Sequence, residues 1–175
     1  DLNTTIEKTG VYAFEDEWPK AGDYDMNDVL VQYTYQKVFN IYNEILSESF
    51  TFKTLYNKYT VFTNGLGFTL SNAGNAQSTE YLIKKEGEKG FTVASGTDKF
   101  TRESNAIILT DNVKTNPNAE YKVTFKYGDK NSNKKQETSI DAFIYRPSKE
   151  GNRLETHCPM HKPTSKVDTS FIGQN

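Results

Sequence analysis

Tyr121-Lys122-Val123-Thr124-Phe125-Lys126-Tyr127 alternates apolar and polar side chains without a break. Successive side chains of an extended strand point to opposite faces. The run therefore puts Tyr121, Val123, Phe125 and Tyr127 on one side and Lys122, Thr124 and Lys126 on the other. A sheet with one buried and one wet face follows. Outward from this run, nearly every periodic segment has period two rather than the helical three to four. Strands are expected near residues 10–15, 28–39, 48–54, 60–70, 79–84, 105–110, 119–127 and 138–145. Clusters with turn chemistry separate them, among them Asn72-Ala73-Gly74-Asn75-Ala76 and Glu86-Gly87-Glu88-Lys89-Gly90. Short strands at this spacing predict an all-β fold, an antiparallel β-sandwich of jelly-roll-like kind, in preference to a barrel or an α/β fold. There is no internal repeat and no linker, and 175 residues suffice for one domain with a substantial core, so a single domain over 1–175 is expected.

Composition narrows the function classes. Lys and Arg total 21 against 23 Asp and Glu, so no basic excess exists to attract nucleic acid or an anionic membrane. No stretch approaches the roughly 20 apolar residues of a membrane-spanning helix. Residues 1–10 lack the basic and apolar regions of a signal peptide, so export implies a targeting segment outside this sequence. The single cysteine, Cys158, rules out an intramolecular disulfide framework. An Asn- and Thr-rich polar surface suits an extracellular or periplasmic domain.

Chemistry concentrates just ahead of the second expected strand. Asp23, Asp25, Asn27 and Asp28 place four side-chain oxygen donors within six residues, and carboxylates this close repel one another unless a cation intervenes. Ca2+ is the expected ion. The spacing Asp-x-Asp-x-Asn matches the first three ligand positions of an EF-hand loop. The loop is not an EF-hand, however, because Asp28 stands where the invariant Gly belongs and Thr34 where the bidentate Glu belongs. Further ligands are expected upstream from Glu15, Asp16 or Glu17, brought back by bends at Pro19 and Gly22. The competing reading is an exposed acidic turn capping a strand.

The same stretch carries a resemblance. Phe14-Glu15-Asp16, Trp18-Pro19 and Gly22-Asp23-Tyr24-Asp25-Met26-Asn27-Asp28 resemble the signature of the LruC-type domain, a family of bacterial secreted and cell-surface proteins. Asn64-Gly65-Leu66-Gly67-Phe68 is similar to the family's Gly-x-Gly strand, and Ile140-Asp141-Ala142-Phe143-Ile144 to its Asn-Pro-Phe-Ile segment. Leu154-Glu155-Thr156-His157-Cys158-Pro159, followed by Pro163-Thr164, is similar to its Glu-Ile-His-Leu-Pro…Pro-Thr ending. Two departures stand out. Cys158 replaces the usual Leu, and the sequence ends near Phe171-Ile172-Gly173 where members continue, which implies a domain incomplete at its C-terminus. The resemblance implies an extracellular or cell-envelope location and an acidic motif, and little about activity.

His157-Cys158-Pro159-Met160-His161 is the strongest rival site. On a helix, two histidines four apart would share a face with Cys158 beside them, but Pro159 and Pro163 oppose a helix, and no Glu supplies a His-Glu-x-x-His arrangement. A surface loop is the expected reading, with loop binding of a transition metal as the alternative and Cys158 as a small buried hydrophobe. No catalytic set emerges. The expected function is a non-catalytic, calcium-binding module with a structural or adhesive role. One alternative is a calcium-dependent carbohydrate-binding module in which Trp18 and Tyr24, with Tyr12 beside them, offer an aromatic platform. A second is a metal-dependent hydrolase. The expected partner is a cell-surface glycan or another envelope protein.

Overall fold

A computed structural model describes residues 2–20, 22–23, 25–55, 61–128 and 133–171. Eleven strands form among them: β1 (Thr4–Phe14), β2 (Val29–Phe39), β3 (Ile45–Leu55), β4 (Gly65–Ser71), β5 (Ser78–Lys84), β6 (Thr92–Val93), β7 (Thr101–Arg102), β8 (Ala106–Thr110), β9 (Glu120–Lys126), β10 (Ser139–Pro147) and β11 (Arg153–His157). Every named pairing is antiparallel. One sheet runs β1-β2-β3-β9-β5-β6 and the other β11-β10-β4-β8-β7. The fold is the expected antiparallel β-sandwich. Its chain passes between the sheets after β3, β4, β6, β8 and β9.

The alternating run at the centre of the first sheet behaves as its period dictates. Tyr121, Val123, Phe125 and Tyr127 are buried, and Val123 and Tyr121 stand opposite Phe50 and Phe52 of β3. Phe68 of β4 crosses from the other sheet to meet Phe52, with ring centroids 5.1 Å apart, so aromatic contacts tie the two layers together. Within this core, Glu48 is wholly buried, accepting hydrogen bonds from Thr138 N at 2.8 Å and Tyr127 Oη at 2.8 Å, with Lys134 Nζ at 3.7 Å. Those donors replace the water the carboxylate gave up.

The second sheet is covered on both faces. Ala142 and Ile144 of β10 point into the main core, whereas Phe143 and Tyr145 join Ala106 and Ile108 in a small cluster on the opposite side. β11 follows the same parity. Its register pairs Phe143 with His157, Tyr145 with Glu155 and Pro147 with Arg153, which lines Arg153, Glu155 and His157 along that outer face. The Arg153 guanidinium lies over the Tyr145 ring at 5.0 Å and the Phe143 ring at 5.6 Å. Beyond β11, the chain returns along Arg153, with hydrogen bonds from Arg153 N to Lys166 O at 2.8 Å and from Asp168 N to Arg153 O at 2.7 Å.

Candidate metal site

Register builds the site. β1 and β2 pair until Phe14 stands opposite Val29, both buried, so residues 15 and 28 leave the hairpin side by side and the fourteen residues 15–28 form its loop. Asp16 N donates to Asp28 Oδ2 at 2.9 Å, closing the neck of that loop. A turn at Glu17–Lys20, with Lys20 N bonded to Glu17 O at 2.9 Å and a cis peptide before Pro19, sends the chain outward. It returns through Gly22, packed so close to Glu15 that a Cβ there would lie 2.6 Å from Glu15 Oε1. Met26 takes φ +55°, and Asn27 N donates to Asp25 Oδ1 at 3.3 Å, turning the acidic segment back toward β2.

Carboxylates converge as a result. Oxygens of Glu15, Asp23 and Asp25 lie within 4.8 Å of one another, and so do oxygens of Glu15, Asp16 and Asp28. Glu15 belongs to both groups. These residues, with Glu17, Asn27, Val61 and Phe62, line an open hollow of about 570 Å³. Glu15 Oε2 is shielded from solvent and accepts no hydrogen bond from a described residue. The Glu15 pKa is pushed up to about 7, first by a carboxyl-to-carboxyl hydrogen bond with Asp28, then by burial and by the charges of Asp28, Asp23 and Asp25. The direction of that shift follows from the crowding of like charges around Glu15. A divalent cation would relieve the same crowding with ligands of the hard oxygen type that Ca2+ takes.

Of the expected ligands, Glu15, Asp16, Asp23, Asp25 and Asp28 come together, and Asn27 lies on the wall of the same hollow. Trp18 is half-buried and does not line the hollow; its carbonyl accepts a hydrogen bond from Arg146 Nη2 at 2.7 Å. Tyr24 lies outside the described residues. Tyr12 does not line the hollow either. It packs against Tyr33 at 4.9 Å between centroids and bonds Tyr35 Oη at 2.7 Å, within the aromatic layer of the first sheet. Two supporting residues escaped the sequence reading. Asn64, wholly buried ahead of β4, donates from Nδ2 to Asp16 Oδ2, and Arg146 lies 4.1 Å over the Phe62 ring. The one available signal was the place of Asn64 at the head of the Gly65-Leu66-Gly67 run.

The rival site resolves into two parts. His157 is not in a loop but ends β11, stacked on Phe143 at 4.6 Å between centroids. Its Nδ1 faces Asp141 Oδ2 at 2.5 Å and its Nε2 faces Glu155 Oε2 at 2.9 Å. An imidazole flanked by two carboxylates donates from both nitrogens, which makes it an imidazolium. Burial alone would lower its pKa, yet Asp141 and Glu155 outweigh burial and the value is raised. Cys158 is half-buried against the core, and burial together with the Asp141 charge pushes its thiol up to about 11, the opposite of an activated nucleophile.

Residues 53–175 fit the model of DUF4842, a domain of unknown function, and the chain belongs to that family. A search of curated proteins finds no match.

Proposed function

Proceeding from that membership, we propose that this chain is a non-catalytic, calcium-binding module of a secreted or cell-surface protein, in which Ca2+ orders the loop between β1 and β2 for a structural or adhesive role. The convergence of four aspartates on Glu15, in two groups of three carboxylates, is the observation that carries this reading. Support for the location comes from the LruC-type resemblance of residues 14–28. In this reading Glu15, Asp16, Asp23, Asp25 and Asp28 supply oxygens, the buried Asn64 fixes Asp16, and Gly22 admits the chain to Glu15.

The test is thermal unfolding with Ca2+ or with chelator. An ion that binds the folded chain alone adds about 2.7 kcal/mol at a hundredfold excess over Kd. For a domain of this size that is a rise in Tm of roughly 5–10 °C. A Tm indifferent to both additions overturns the proposal.

One observation favours a second reading, a calcium-dependent carbohydrate-binding module. The hollow, about 570 Å³, is far larger than an ion and has the exposed Val61 and the Phe62 ring on one wall. Oligosaccharide on a glycan array, retained with Ca2+ and lost with chelator, would place a sugar there; a blank array leaves the structural role alone.

A further inference from the structure

The edge of the second sheet is hollowed on either side of one cross-strand pair. Thr101 of β7 stands opposite Ile108 of β8, and both residues, with Asp111 just past β8, line two hollows of about 120 and 260 Å³. The hollows therefore adjoin. The smaller runs under the loops at 96–99 and 111–116 and has the buried Tyr121 in its lining, while the larger spreads over Tyr145, Pro147 and Arg153 on the outer face. Together they reach the size at which small-molecule sites begin.

Their walls are braced from within the chain. Asn116 Nδ2 donates to Asp98 Oδ1 at 2.9 Å and Lys85 Nζ pairs with Asp98 Oδ2 at 2.7 Å, which ties the two loops of the smaller hollow together. In the larger one, Glu103 is held by Arg153 at 2.9 Å and by Lys166 at 3.0 Å, and Asp111 Oδ1 accepts from Tyr145 Oη. A surface ordered in advance gives up less freedom on binding. Its charges also cancel. Among the described residues, Asp98, Glu103 and Asp111 line the hollows together with Lys99, Arg153 and Lys166, so an ionic ligand would upset a balance already struck. A neutral ligand rich in hydroxyls, each both donor and acceptor, meets carboxylates, guanidinium, amides and threonine hydroxyls without leaving a charge over. Ile108, Pro147 and the Tyr145 ring add the apolar surface that the C–H face of a sugar ring needs.

We propose that the two adjoining hollows bind a neutral oligosaccharide, one sugar ring in each, with Thr101 and Asp111 at the junction touching both rings. No metal takes part. The hollows share no lining residue with the acidic loop, so this groove stands or falls apart from the calcium reading and from any sugar held through Ca2+.

The test is an array of neutral and acidic oligosaccharides probed with the chain in chelator, followed by titration of a neutral hit against variants whose Tm is measured alongside. Neutral glycans of two or more units are expected to bind, with the corresponding monosaccharide held more weakly. Asp111→Ala removes a charged acceptor from the junction and should weaken binding about 10–100-fold. Thr101→Trp fills the junction from an exposed position and should abolish binding, while Asp25→Asn in the acidic loop should leave it unchanged. A blank array in chelator, retention of acidic glycans alone, or full affinity in folded Thr101→Trp overturns the proposal. Binding that needs Ca2+ and is lost in Asp25→Asn overturns it too, and moves the sugar to the acidic loop.

Discussion

The acidic loop between β1 and β2 and the polar cluster on the outer face of the second sheet use the same residue types to opposite ends. In the cluster, Glu103, Glu155 and Asp141 face Arg153, Lys166 and His157, three carboxylates against three cations, at 2.5–3.0 Å. Thr164 completes it, donating from N to Glu155 Oε2 at 2.8 Å and accepting from Arg153 Nη2 at 2.7 Å. Around the hollow, five carboxylates converge, and no Lys or Arg stands among the described residues lining it. A balanced cluster is complete in itself and serves to hold the C-terminal return against β11. An unbalanced one leaves its charge to solvent or to an ion from outside.

Breaking the balanced region should give the larger effect. Arg153→Ala removes a bidentate pair to Glu103 and the Nε bond to Glu155, leaving the buried Glu155 and the half-buried Glu103 without their main partner. The loss expected is about 3–5 kcal/mol, read as a lower urea midpoint at unchanged slope. The Ca2+-induced rise in Tm should survive in this variant, since the two regions share no residue. A calcium response lost together with the cluster would mean that they are one unit.

Acid should act on the same region more gently. Burial pushes Glu155 up, but hydrogen bonds from His157 and Thr164 and the Arg153 charge outweigh it, and its pKa is lowered. Glu103 behaves alike, with burial outweighed by Arg153 and Lys166. A carboxylate whose folded pKa lies below its unfolded value contributes stability that is complete above the unfolded value, near 4.3, and lost as pH falls through the folded one. The urea midpoint should therefore fall steeply below about pH 4 in the parent chain. Arg153→Ala should flatten that fall, because it removes a cause of the depression in both groups. Equal slopes in the two proteins would assign acid sensitivity elsewhere.

The contrast also explains what could be read in advance. β9 was legible because Tyr121, Val123, Phe125 and Tyr127 bury on one face, and β2, β5, β8 and β10 fall where period two puts them. β11 was not, since Arg153, Glu155 and His157 on its outer face are polar and covered by mutual pairing, which hydrophobic periodicity cannot register. β1 begins at Thr4, earlier than expected, because Thr4–Thr9 lies on an edge and is exposed on both faces, leaving no apolar alternation to see. β6 and β7 are two residues each, too short for any period. At the loop, density of donors revealed Asp23, Asp25 and Asp28. The central place of Glu15 depends on the Phe14 to Val29 register, and that of Asn64 on a contact 48 residues away.

The smallest expected effect discriminates best. Asp25 is exposed and sits within reach of Glu15 and Asp23. Asp25→Asn keeps an oxygen to accept from Asn27 N and removes one negative charge, so the turn is preserved while the repulsion falls. In chelator the variant should be slightly more stable than the parent, with Tm higher on the order of 1–3 °C. In saturating Ca2+ it should be less stable, having lost a charged ligand. The sign of the difference reverses with the ion, and an ordinary acidic turn has no reason to reverse. If Asp25→Asn shifts Tm in the same direction with and without Ca2+, the five carboxylates form a solvated surface turn, and the contrast between the two regions reduces to one of burial.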